Sequence, residues 1–158
     1  FNLAYWINPD RGELFFANKT VLLEGPTDKT VLPYLAHKLG IFRHDYTLLD
    51  CESKSSIKNY IYLLNKFNLP YIVVYDKDHQ DWKNKDGKNT ADRESADIES
   101  VIKKELGFSV IMMNDIEEEI GISGQNNKNK PYNALQAVSK EDFVITDSLK
   151  EKITKIFG

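Results

Sequence analysis

The stretch Val21-Leu22-Leu23-Glu24-Gly25-Pro26-Thr27-Asp28 constrains the fold more than any other part of the chain. Three consecutive apolar residues read as a strand covered on both faces. Gly25 and Pro26 end it, and Thr27 is placed to N-cap a following helix. Glu24 then sits at the C-terminal tip of a central strand, with Asp28 in the first helical turn. Ligands of open α/β sheets bind outside the carboxyl ends of the strands. Two carboxylates at that edge therefore suggest a cation site. Tyr71-Ile72-Val73-Val74-Tyr75 repeats the logic and ends in Asp76-Lys77-Asp78. Two acids one residue apart can face one metal if the backbone bends there.

The remaining pattern alternates. Strands are expected at about 20–24, 46–49, 71–75 and 108–112, and helices at about 27–39, 55–67, 92–106, 132–138 and 141–157. A short acidic helix start covers 114–120. This order implies an α/β fold with about four parallel strands, right-handed crossovers and helices on both faces. Ile57, Tyr60, Ile61, Leu64 and Phe67 share one helix face, so those aromatics read as core. Residues 8–12 read as a turn, and Leu14, Phe15 and Phe16 as cover for one sheet edge. Residues 79–92 read as a polar loop and 124–130 as a polar linker. The loop is either a mobile surface insertion or a DNA-contacting loop with Trp82 stacking or wedging. His79 as a metal or phosphate contact is the weaker reading, since a single histidine lacks partners.

With 158 residues the chain is long enough for one domain with a real core. A net charge of −3 does not advertise a nucleic-acid binder. Clustered carboxylates lower that charge until cations bind them, so the sign is a weak exclusion. Cys51 stands alone, which excludes an intramolecular disulfide and suggests a buried thiol in a reducing compartment. No run approaches the ~20 apolar residues of a membrane span. Phe1-Asn2-Leu3-Ala4 is no signal peptide, so a cytoplasmic location is expected. The chain opens without Met, which suggests a piece of something longer.

Carboxylates without Cys or paired His suit hard cations such as Mg²⁺ or Mn²⁺ and argue against structural zinc. The candidates are Glu24, Asp28, Asp76, Asp78, Asp115 and Glu117. If all six converge, one Mg²⁺ would not offset their charge. Two ions ~3.5–4 Å apart then become plausible, the arrangement used for in-line phosphodiester cleavage. Asp115 and Glu117 have a rival reading, because Glu118-Glu119 continues the run and acids suit a helix start. Lys54 reads as a solvated lysine more readily than as a phosphate contact. Lys130 lies beside Lys128 and is open to the same reading.

Glu24-Gly25-Pro26-Thr27-Asp28 followed by Asp76-Lys77-Asp78 resembles the Toprim domain of topoisomerases, bacterial primases and several nucleases. Phe15-Phe16-Ala17-Asn18-Lys19, Leu32-Pro33-Tyr34-Leu35, Asn114-Asp115-Ile116-Glu117 with Gly121-Ile122, and Lys130-Pro131 sharpen it. Over about 15–138 the chain is most similar to the overcoming-lysogenisation-defect (OLD) family of ATP-dependent endonucleases. The resemblance implies a Toprim, Rossmann-like fold and metal-dependent cleavage of DNA. It implies metal ligands at Glu24, Asp28, Asp76, Asp78, Asp115 and Glu117, and catalytic roles for Glu24, Asp76 and Lys130. It further implies two Mg²⁺ or Mn²⁺ ions, DNA as partner, an oligomeric parent protein and a part in phage defence. Residues 1–19 would then lead in from an upstream ATPase region, and 20–158 would form the catalytic domain. Two departures matter. Relatives often carry glycine before the lysine where this chain has Glu52-Ser53, and may carry serine in place of Asp115. A metal- or nucleotide-binding regulatory module, a Toprim RNase and a primase-like enzyme stay open as alternatives.

Overall fold

The computed structural model describes residue 12 and residues 15–122 and 128–158. Four strands form one parallel sheet: β1 (Lys19–Leu23), β2 (Tyr46–Asp50), β3 (Tyr71–Asp76) and β4 (Gly107–Met112). Their order is β2-β1-β3-β4. The register sets Leu23 beside both Asp50 and Val74, and Asp76 beside Met112. All four carboxyl ends therefore open on one edge. β1 and β3 are flanked on both sides, which explains why their apolar runs are continuous. Val21 through Leu23 and Tyr71 through Tyr75 are all buried.

Among the described residues six helices flank the sheet: α1 (Pro26–Lys38), α2 (Lys54–Lys66), α3 (Lys85–Val101), α4 (Ile116–Glu119), α5 (Lys130–Val138) and α6 (Asp147–Phe157). Strand side chains alternate between two cores. Val21, Leu23, Ile72, Val74, Val110 and Met112 pack with α1, α5 and α6. Leu22, Tyr71, Val73 and Tyr75 pack with α2 and with Ile98 of α3. Burying one such aliphatic side chain contributes about 1.5–3 kcal/mol, so both layers lock the strand tips in place. Gly107 faces Tyr71 across the β3–β4 register, where an added Cβ would collide with the Tyr71 carbonyl and ring. Among the described residues no helix is long and apolar enough to cross a membrane.

Several boundaries differ from expectation. Gly25, not Thr27, caps α1, because Pro26 already has the φ that a first helical turn needs. Half of the expected 79–92 loop is helix, since Asn84 accepts a hydrogen bond from the Gly87 amide and starts α3. That helix ends at Val101 rather than near 106. The final helix begins at Asp147, not 141, because Thr146 caps it by accepting from the Leu149 amide. Phe16 is 90% exposed and covers nothing, whereas Phe15 meets Phe67 edge to face at 5.1 Å. Residues 8–11 of the expected 8–12 turn, Leu14, and residues 124–127 of the expected 124–130 linker lie outside the described residues.

Candidate metal centre

Two tight turns place the acids. Glu24 follows β1 directly, and its Oε2 accepts from the Asp76 amide at 3.0 Å, tying the tips of β1 and β3 together. Asp28 Oδ2 accepts from the Gly25 amide at 3.2 Å, as a carboxylate at the third position of a helix does. Beyond β3, the Lys77 amide still donates to Met112 and the Asp78 amide to Asn114. The backbone then bends sharply: Asp78 has φ 64°, in the left-handed region that aspartate tolerates better than most residues. This bend is the one the Asp-x-Asp spacing requires.

The second acidic group follows β4. Asp115 caps α4, with Oδ1 accepting from the Glu118 amide at 2.8 Å. Its rival reading as a helix-start acid is therefore correct as far as it goes. Glu117 is buried, accepts from Thr27 Oγ1 at 3.4 Å and lies 3.5 Å from Lys130 Nζ. Glu24, Asp28, Asp76, Asp78, Asp115, Glu117 and Lys130 all line one open cleft of about 650 Å³. His79 is directed elsewhere and meets Asp92 at 2.6 Å. Trp82 stands on the cleft wall, half exposed.

Two residues were misjudged or missed from the sequence. Lys54, expected in solvent, is buried at the first position of α2. Its Nζ donates to the Asp76 carbonyl at 2.5 Å and lies 3.8 Å from Asp78 Oδ2. A signal existed: the turn after β2 parallels the turn after β1, so a side chain opening α2 faces the same edge. Gln80 is also buried, and its Nε2 donates to Asp115 Oδ2 at 2.6 Å and toward Asp78 Oδ1 at 3.5 Å. Nothing in the sequence marked it. Lys83 adds a contact at 2.5 Å to Asp78 Oδ1.

Charge is crowded here. Burial pushes the Glu24 carboxyl up to about 7, with Asp78 adding repulsion and the Asp76 amide opposing it. Burial and then Glu24 push Asp28 up to about 8. Asp76 is raised well above the usual carboxylate range, first by burial and then by Asp28, Glu24, Asp78 and Asp115. Asp28 Oδ1 and Asp76 Oδ1 are buried without a hydrogen-bond partner. Buried, like-charged and unpartnered oxygens are what a divalent cation relieves, so the donor set fits such an ion. Even so, no group of three metal-capable side chains stands ready-made among the described residues. The reason is visible in the contacts above: the chain's own amides and lysines hold several of these oxygens.

A parallel sheet in this order, with acids at the tips of its two central strands, defines an α/β fold of the Toprim kind. Residues 15–78 match the family model described as overcoming lysogenization defect protein-like, TOPRIM domain. Over residues 15–78 the resemblance drawn from the sequence is thereby shown, as similarity to an OLD-like Toprim domain. Solved structures of the C-terminal region of the Xanthomonas campestris pv. campestris OLD protein, one phased with mercury and one with iodine, are similar to it. Each has 16% sequence identity and a TM-score of 0.40, covering 89% of this chain and 80% of its own. No curated protein matches. Toprim domains typically bind divalent metals, and an OLD-like one suggests a nuclease-type role.

Proposed function

We propose that this domain is a divalent-metal-dependent endonuclease that nicks or cuts DNA by a two-ion mechanism. The observation that carries the reading is the meeting of six carboxylates from three strand tips, with Lys130, in one cleft. Glu24, Asp28 and Asp76 would hold one ion, and Asp78, Asp115 and Glu117 the other. Bound Mg²⁺ or Mn²⁺ would supply Lewis-acid charge neutralisation at the scissile phosphate and activation of the attacking water.

The chain's own residues do the rest. Glu24 fixes the spacing of β1 and β3 through the Asp76 amide. Lys54 holds the Asp76 carbonyl and keeps a positive charge beneath the cluster. Lys130 is half exposed and close to Glu117, so it can reach a phosphate oxygen and stabilise charge that develops in the transition state. Following the resemblance, residues 1–19 lead in from an upstream ATPase region and 20–158 form the catalytic unit of an oligomeric phage-defence protein.

A second reading, a one-ion binding or regulatory module, is favoured by Lys54 and Lys83, which already attend Asp78. Plasmid DNA incubated with the domain and Mg²⁺, Mn²⁺ or chelator separates the two. Metal-dependent nicking or linearisation supports the nuclease. Metal binding at a stoichiometry of one, without cleavage, supports the module.

A further inference from the structure

Three buried side-chain atoms among the described residues lack a hydrogen-bond partner: Asp28 Oδ1, Asp76 Oδ1 and Gln80 Oε1. All three are oxygens, and all three belong to residues that line the same cleft. No buried donor is orphaned with them. A shortage confined to acceptors marks a missing positive or proton-donating group rather than a missing acceptor.

Gln80 is the uncharged member of this set. Only 2% of it is exposed. Its Nε2 lies 2.6 Å from Asp115 Oδ2 and 3.5 Å from Asp78 Oδ1. The amide orientation follows from chemistry, since carboxylate oxygens accept and only the NH₂ side can donate to them. Oε1 is thereby left without a donor, buried in the lining of the cleft. The Gln80 carbonyl also accepts from the Lys83 amide at 3.0 Å, which fixes the turn that carries Lys83 and Trp82.

We propose that Gln80 is a positioning residue of the metal centre: its amide NH₂ joins Asp78 to Asp115, and its Oε1 faces a divalent cation as a neutral ligand. This inference rests on the metal-centre reading and adds to it. Neutral oxygen donors suit hard cations without adding to a site already rich in charge. The amide also ties Asp78, after β3, to Asp115, after β4, two acids assigned to the same ion. Residues that orient metal-binding carboxylates in this way typically change affinity 10–100-fold when removed.

The test is Mn²⁺ binding by calorimetry on the whole 158-residue chain and on its Gln80→Leu and Gln80→Met variants. Thermal melts in chelator run alongside. The expected result is a 10–100-fold loss of Mn²⁺ affinity in both variants, with cooperative melts retained. A lower melting temperature with unchanged Mn²⁺ affinity would make Gln80 merely structural and overturn the proposal. Failure of the unmodified chain to bind Mn²⁺ would overturn the metal-centre reading itself, a different outcome from equal binding by chain and variants. Two variants guard against one failing to fold.

Discussion

The acids of the cleft fall into two groups that the chain treats differently. Asp28 is buried and Glu24 and Asp76 are half-buried, Asp28 and Asp76 each carry an unpartnered oxygen, and all three are held above the usual carboxylate range by burial first and by neighbouring acids after it. Asp78, Asp115 and Glu117 already have company. Lys83 and Lys54 attend Asp78, the Glu118 amide and Gln80 attend Asp115, and Thr27 and Lys130 attend Glu117. The first group is built to receive charge from outside, and the second is largely neutralised from within. If so, the first ion settles at the Glu24 group, and the second must displace the chain's own donors.

The largest effect should come from Asp76→Asn set against Asp115→Asn. Asp76→Asn removes an acid crowded by Asp28, Glu24, Asp78 and Asp115. Cleavage should fall at least ~100-fold, as for lost electrostatic stabilisation elsewhere, while the metal-free domain melts higher. Asp115→Asn keeps the cap, since asparagine caps as well as aspartate, but turns its NH₂ toward that of Gln80, so its metal-free melting temperature should fall slightly rather than rise. Equal melting shifts in the two variants would erase the contrast between the groups.

The same contrast has a pH signature. Glu24 at about 7 and Asp28 at about 8 hold protons in the folded state that the unfolded chain, titrating near 4, has released. Between those limits the folded state binds more protons, so stability falls as pH rises. With respect to these groups the metal-free domain should be most stable at and below about pH 4 and should lose that contribution progressively up to about pH 8. Added Mg²⁺ should raise the melting temperature more at pH 8.5 than at pH 5.5, by roughly 5 °C or more. Melts in chelator and in Mg²⁺ at both pH values decide it, and a flat difference would mean that these carboxyls do not take the ion.

Much of this was legible in the sequence, for a definite reason. Apolar runs that stop abruptly at acids report both a buried strand and its ligand edge, so β1, β3, Glu24 and Asp76 could be placed from residue order alone. Helix limits were harder. Within α3 only Ala91 and Ile98 are buried, so its polar first turns looked like loop. Lys54 and Gln80 escaped because a polar side chain's burial is decided by what packs over it, which local pattern does not contain. Asp115 was ambiguous from sequence because it does two things at once, capping α4 and facing the cleft.

A smaller effect tests the rim of the second group. Lys130 is half exposed and 3.5 Å from the buried Glu117, so its replacement leaves that carboxylate with the Thr27 hydroxyl and an open side of the cleft. Lys130→Ala should slow single-turnover plasmid cleavage about tenfold, in the low range of removing one charge-stabilising donor. Mn²⁺ affinity by calorimetry should stay within about twofold. An unchanged cleavage rate would return Lys130 to the ordinary surface lysines.

The smallest effect compares two turns with the same backbone. Glu52 and Asp78 both have φ near +65°, at 68° and 64°, and both lie just past a strand end. Left-handed geometry costs a residue with a Cβ roughly 1–2 kcal/mol, and glycine escapes it. Aspartate is one of the few residues that tolerates the region, and Asp78 puts its carboxylate into the cleft. Glutamate has no such tolerance, so Glu52 bears the strain. Part of any gain from Glu52→Gly is lost to the greater freedom of glycine in the unfolded chain. A net gain of about 0.5–1 kcal/mol remains, which thermal melting should show as about 2 °C. Asp78→Gly relieves the same strain but strips Lys83 and Lys54 of their acid, so Mn²⁺ affinity should fall as the backbone relaxes. A lower melting temperature for Glu52→Gly would mean that the glutamate side chain contributes more than its backbone loses, making the turn after β2 a working part of the cleft wall.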